Sequence, residues 1–180
     1  VVGVLKLLDN AFRYADQMGQ RQGAGAAYLN AFHADLEYFL DTKKINADDD
    51  IRLKTLSLGV VIPDKMMELA KEDKDMYQFF PHNVYEEYGV TFDEVAIDMG
   101  NWYDKLVENP NIKKKLVNPR KILEVMAALQ GESGYPYVMF EDTVNNANPI
   151  AGYINMSNLC SEILQVNSPS VYNDDLSYKV

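Results

Sequence analysis

Short strand-like runs alternate with amphipathic helical runs along this chain, and that alternation is what most limits how it can fold. Residues 24–30, 54–62, 76–80 and 135–140 read as strands: apolar, rich in Leu, Val, Ile, Tyr or Phe, and bounded by Gly or Pro. Pro81 stops the third, and Pro136 sits near the start of the fourth, where a missing N–H is tolerated. Helical spacing appears between them. In 1–17, Val4, Leu5, Leu8, Ala11, Phe12 and Ala15 recur on one side. Residues 33–42, 64–71, 84–88 and 102–108 read as further helices, with Pro63 expected at the first helical position of the second. Asn118 is a good N-cap with Pro119 behind it, which predicts a helix to about Leu129 that ends by Gly131. Residues 145–152 read as irregular, and 153–166 as extended or loop-like. Strands that alternate with helices build βα units, so the expected class is α/β with neighbouring parallel strands. The 180 residues suffice for one domain with a core, and no linker, repeat or low-complexity tract divides them.

Composition narrows the function classes. The formal net charge is −10, with carboxylates gathered at Asp48-Asp49-Asp50 and Glu72-Asp73-Lys74-Asp75. Such runs read as solvated surface, and an acidic chain lacks the basic footprint that nucleic-acid binding needs. A single cysteine excludes an internal disulfide and fits a reducing compartment. His33 and His82 lie too far apart for zinc-ligand spacing, so no metal site is expected. No apolar run has the length of a membrane span, and Val1-Val2-Gly3-Val4 lacks the basic start of a signal peptide. The expectation is a cytoplasmic protein. Its 12 tyrosines read as half-buried packing residues.

Two stretches carry chemistry. Ser157-Asn158-Leu159-Cys160-Ser161-Glu162-Ile163 holds the lone thiol with an amide two residues before it and a carboxylate two residues after. In an extended segment these three side chains share one face. The residues alone leave open a buried inert thiol and a cysteine nucleophile served by His33 or His82. The second stretch, Gly19-Gln20-Arg21-Gln22-Gly23, reads as a flexible turn. It lacks the lysine of a P-loop, and its strand follows the loop instead of preceding it.

The heptapeptide resembles the active-site segment of the large, catalytic subunit of class I ribonucleotide reductases. Further blocks match in family order: Leu7 to Gln17, the Met18 to Asn30 loop and strand, Phe79 to Val84, and Glu132 to Tyr137. The texture is closest to class Ib. The resemblance implies a ten-stranded α/β barrel with the catalytic cysteine on a finger loop through its centre, of which this chain would form about half. It would be a single partial domain: 1–30 the effector-side helix, loop and strand, 31–150 the βα units, and 151–180 the finger-loop region.

By the same resemblance Cys160 becomes a thiyl radical that takes hydrogen from the ribose 3′ carbon, Glu162 is the base on the 3′ hydroxyl, and Asn158 orients the sugar. A buried, apolar setting would keep that thiol protonated and shield a radical from water. Gln17, Gly19, Gln20, Arg21, Gln22 and Gly23 match the specificity loop between effector and substrate. The implied reaction is reduction of ribonucleoside diphosphates for DNA synthesis. The implied partners are a deoxynucleotide or ATP effector, a small subunit with a dimetal-tyrosyl radical, a second large subunit and a dithiol reductant protein. The family's redox cysteine pair is absent from these residues, so the chain is expected to be an internal piece that does not turn over alone. The alternative is a non-catalytic nucleotide-sensing or interaction module of the same fold.

Overall fold

The computed structural model describes residues 1–16, 18–167, 171–172 and 178–179. In chain order they form α1 (Val2–Tyr14), β1 (Gly25–Asn30), α2 (Leu36–Asp41), β2 (Leu56–Ile62), α3 (Asp64–Lys71), β3 (Met76–Phe79), α4 (Pro81–Tyr88), α5 (Phe92–Ala96), α6 (Met99–Glu108), β4 (Lys114–Val117), α7 (Pro119–Ser133), β5 (Tyr137–Phe140), α8 (Glu141–Ala147), β6 (Val171–Tyr172) and β7 (Tyr178–Lys179). The expected α/β class holds. Strands β1, β2 and β5 form a parallel sheet in that order, while β3–β4 and β6–β7 are separate antiparallel pairs. This sheet has fewer than half of ten strands.

Strand pleating gives the sheet two faces. Leu56, Leu58, Val60 and Ile62 of β2 point to one, with Ala27, Leu29 and Val138 beside them, and meet Phe32, Phe39, Met66 and Leu106 in the main core. Val61 and Met139 point to the other face, where Ile154 completes a much smaller cluster. The sheet register sets Tyr28, Gly59 and Tyr137 in one row across the three strands, with Asn30, Val61 and Met139 in the next row of that face.

Several boundaries differ from the sequence reading for local reasons. Helix α1 ends at Tyr14 because Asp16 offers the chain a turn: its carbonyl accepts from Met18 N at 2.9 Å and its carboxylate from Gly19 N at 2.9 Å. Met18 and Gly19 then take positive φ, 56° and 74°. Helix α7 runs through Gly131 and stops at Gly134, whose φ of 77° supplies the left-handed C-cap. Pro63 is an N-cap and lies just outside α3, whereas Pro81 ends one strand and opens the next helix. Five elements were not anticipated: β4, α5, α8, β6 and β7. Of these, α5 is set by a capping box between Thr91 and Glu94.

A carboxylate ties α1 to the sheet. Asp9 is 1 % exposed and accepts from Thr55 N at 2.7 Å, Thr55 Oγ1 at 2.7 Å, Leu56 N at 2.9 Å and Lys54 N at 3.2 Å. Burial pushes its pKa up, but these four donors outweigh burial and bring it down to about 2 from 3.8. The folded value is depressed, so this contribution is complete above the unfolded pKa and is lost as pH falls from 3.8 towards 2. Asp9→Asn presents an amide where the site supplies only donors. We predict a loss of roughly 2 kcal/mol at pH 7, and a smaller gap from the parent below pH 3, measured by urea unfolding at both pH values.

Candidate functional site

Residues 152–166 have no regular secondary structure and lie on the second face of the sheet. Their two arms close at Gly152, which packs against Val166. Ile154 is 2 % exposed and wedges onto Val61 and Met139. With no strand beside it, its backbone is served by Asn145 of α8: Asn145 Nδ2 donates to Ile154 O at 2.9 Å, and Asn145 Oδ1 accepts from Ile154 N at 2.8 Å. Further out, Ser157 Oγ donates to Ile163 O at 2.7 Å and closes the loop a second time.

Cys160 sits at the tip. Ser161 N donates to Asn158 O at 3.1 Å, and Ser161 takes φ 62°, so residues 158–161 form a tight turn. The extended geometry expected for Asn158, Cys160 and Glu162 is therefore not found. The side chain of Asn158 explains why: its Oδ1 accepts from Glu162 N at 3.1 Å and Ile163 N at 2.9 Å, which bends the chain back on itself. Those two donors also fix the amide's orientation, leaving Nδ2 with no hydrogen bond among the described residues. The expected burial of the thiol is not found either; Cys160 and Glu162 are both exposed.

The turn rests on Tyr28. Its hydroxyl lies 3.2 Å from Ser161 Oγ and 3.4 Å from Asn158 O, and its ring covers Gly59 so closely that a Cβ there would fall inside it. Tyr137, in the same row, has its phenol pKa raised by burial first and then by its neighbours, among them Tyr135 and Cys160.

Of the residues expected to form a specificity loop, Gln17 lies outside the described residues. Gln20, Arg21 and Gln22 are exposed. Gly23 is held against the end of α1, where a Cβ would meet Phe12 O at 2.6 Å, so the loop can cross that helix end only with glycine there. Among the described residues no hydrogen bond joins this loop to the Cys160 turn.

Neither histidine serves the thiol. His33 Nδ1 accepts from Asp35 N at 2.9 Å, its ring meets Phe92 edge-on, and burial lowers its pKa. His82 lies 3.3 Å from Glu86 on exposed α4. These placements remove the observation that a cysteine hydrolase would need. No cluster of His, Cys, Asp and Glu suited to a metal occurs among the described residues, and no helix there is long and apolar enough to cross a membrane.

Sequence reasoning missed Asn145 and a second polar group at the carboxyl end of the strands. There a cleft of about 340 Å³ is lined by Tyr28, Asn30, Val61, Glu141, Asn155 and Met156. Glu141 is 3 % exposed, and Asn30 Nδ2 donates to it at 3.3 Å. A carboxylate directly after the apolar run Tyr137-Val138-Met139-Phe140 was the available signal. We predict that Gly59→Ala, which forces the Tyr28 ring aside, costs about 1–3 kcal/mol. The same change in a Tyr28→Ala background should cost clearly less, with urea unfolding of the four variants reporting the difference.

The family model described as the barrel domain of ribonucleotide reductase matches residues 1–176. The chain is 63 % identical over 176 residues to the ribonucleoside-diphosphate reductase subunit alpha of Bacillus subtilis (strain 168), covering 97 % of this chain and 25 % of that protein. It is 62 % identical over 162 residues to the NrdEB subunit alpha of the same organism, covering 89 % of this chain and 15 % of that relative. The subunit alpha of Mycoplasma pneumoniae is 50 % identical over 179 residues, 99 % of this chain and 24 % of its own length. The chain thus spans a quarter or less of these curated relatives.

Proposed function

This chain belongs to the ribonucleotide reductase barrel-domain family, and we propose that it carries the hydrogen-abstracting centre of a class Ib ribonucleoside-diphosphate reductase large subunit. The observation that carries this reading is the seat of Cys160. The lone thiol stands on a doubly closed loop over the less-covered face of a parallel sheet, beside an amide whose NH₂ has no hydrogen-bond partner among the described residues. The printed names of the relatives support the reaction.

In this proposal the exposed face turns inward in the complete ten-stranded barrel, and the loop is its central finger. The exposure of Cys160 here then reflects a wall contributed by the rest of such a subunit, which would supply the dry, apolar surroundings a thiyl radical requires. Cys160, as the radical, takes hydrogen from the ribose 3′ carbon. Glu162 takes the proton of the 3′ hydroxyl, which helps expel the 2′ hydroxyl as water. A cysteine pair elsewhere in the subunit supplies two electrons and two protons, one proton to the departing 2′ hydroxyl and one to the 2′ carbon, and becomes a disulfide, which the dithiol reductant protein reopens; Glu162 returns its proton to the 3′ oxygen. Hydrogen then returns from Cys160 to the 3′ carbon, and the radical is ready for another cycle.

Asn158 has two duties here, one for each end of its amide. Oδ1 shapes the turn, and Nδ2 is left to donate to a sugar hydroxyl. The loop of Gly19, Gln20, Arg21, Gln22 and Gly23, together with Gln17, answers to the bound deoxynucleotide or ATP effector and biases which base is accepted. The radical comes from a small subunit with its dimetal-tyrosyl centre. Val4 and Leu7, apolar and 63 % and 73 % exposed on α1, suit a contact with a second large subunit. We place the protein in the cytoplasm.

Two experiments on the full-length subunit test this. Cys160→Ser should abolish nucleoside-diphosphate reduction and leave effector binding unchanged; turnover like that of the parent would sink the radical assignment. Asn158→Asp keeps the acceptor that holds the turn but removes the donor. Its kcat/KM should fall by roughly 10- to 100-fold, the loss of a hydrogen bond to substrate, while the backbone amides of Glu162 and Ile163 keep their exchange protection.

A further inference from the structure

The loop between α1 and β1 is held at its two ends. At its start Asp16 accepts from Met18 N and Gly19 N and makes the turn. In its middle Gln20, Arg21 and Gln22 are exposed and form no hydrogen bond among the described residues. At its exit two glycines pack on a single residue of α1. A Cβ at Gly23 would lie 2.6 Å from the carbonyl oxygen of Phe12 and 3.0 Å from that of Ala15. A Cβ at Gly25 would lie 2.6 Å from Cε2 and 2.7 Å from Cζ of the Phe12 ring. Phe12 thus confines the chain with its carbonyl on one side of Ala24 and with its ring on the other. Neither glycine takes a positive φ, so the closeness of Phe12, and not backbone freedom, is what demands glycine at both.

Phe12 is itself firmly seated. It packs against the main core. It lies three residues after Asp9, on the same face of α1. Asp9 gathers the N–H groups of Lys54, Thr55 and Leu56. Leu56 is the register partner of Gly25, and its Cδ2 lies 3.2 Å from the same Cβ position. One face of α1 therefore fixes the starts of two strands, β2 by a carboxylate and β1 by a ring.

We propose that Phe12 is the positioning residue of the 18–24 loop: its carbonyl and ring set where the loop leaves the helix and enters β1, and through this how the loop biases the choice of substrate. The part in substrate choice rests on the function proposed above; the packing does not. The strand gives the contact a longer reach. Three residues after Gly25, about 10 Å along β1, the Tyr28 hydroxyl meets Ser161 Oγ and Asn158 O in the Cys160 turn. No hydrogen bond joins loop and turn among the described residues, so β1 is the covalent path between them, and Phe12 holds its first residue.

The test uses the full-length subunit and two readouts. The first is the rate of tryptic cleavage after Arg21, which follows how often the loop opens. Phe12→Ala removes the ring and Gly25→Ala drives a methyl into it; each should speed cleavage by roughly tenfold or more. Phe12→Ala also leaves room for that methyl, so adding Gly25→Ala to it should change the rate by less than about twofold. If Phe12→Ala does not fold, Phe12→Leu loses the flat ring with less volume and carries the same expectation. An equal effect of Gly25→Ala in both backgrounds, or parental cleavage without the ring, overturns the proposal.

The second readout is the change that each nucleoside triphosphate effector makes in the ratio of kcat/KM between a purine and a pyrimidine ribonucleoside diphosphate. Loss of the ring should shrink that change by about fivefold or more while effector Kd stays within about twofold, a split that general destabilisation does not produce. Faster cleavage with an unaltered effector response overturns the role in substrate choice. A parent whose ratio no effector alters refutes the effector reading of the loop instead, and the cleavage rates still decide whether Phe12 holds it.

Discussion

Every residue of β2, from Leu56 to Ile62, is buried, and the rest of the molecule is arranged to make that possible. A central parallel strand needs neighbours on both edges and cover on both faces. The edges are β1 and β5. One face is covered by helices and the large core. The other has only the 152–166 loop, anchored by Ile154 over Val61 and Met139. The loop that carries the thiol is thus also what covers the second face of the sheet, and position and burial depend on the same contact. Asp9 starts the strand correctly by gathering the N–H groups of Lys54, Thr55 and Leu56 onto one carboxylate.

A loop without a ladder has to satisfy its backbone by other means. Here side-chain amides do it. Asn145 pairs with both backbone groups of Ile154 as a strand neighbour would, and Asn158 takes the N–H groups of Glu162 and Ile163. Both amides hold fixed geometry without adding charge near the thiol. That leaves Glu162 as the carboxylate of the turn, in keeping with the role of base proposed for it.

The strands were legible because their signals are local. Val and Leu runs between Gly and Pro marked β1, β2, β3 and β5 to within a residue or two, and Asn118-Pro119 marked the start of α7. The same reasoning failed where two stops compete: Gly131 is exposed inside α7, and it is Gly134 that takes the positive φ that ends the helix. It overlooked α5 although Thr91 and Glu94 spell a capping box, because the apolar stretch behind them is short. The residue types of the site were legible, and their geometry was not. Spacing two apart implies a shared face only in an extended chain, and the Asn158 side chain bends this one. The treatment of tyrosines as packing residues missed Tyr28 and Tyr153, whose hydroxyls find partners more than 50 residues away; no local pattern encodes that.

The row Tyr28–Gly59–Tyr137 has a consequence for how such a sequence can change over time. Any side chain at 59 collides with the ring at 28, and a smaller residue at 28 releases the turn at 158–161. Each position is tolerable only given the other, so substitutions there are not independent trials. A lineage that swaps one must pass through an intermediate that is either overpacked or unanchored. The accessible route runs by way of a smaller ring site first, with the bulk at 59 added afterwards and a new support for the turn drawn from elsewhere on the sheet. Such pairs change together or not at all, and they slow the drift of the surface they hold.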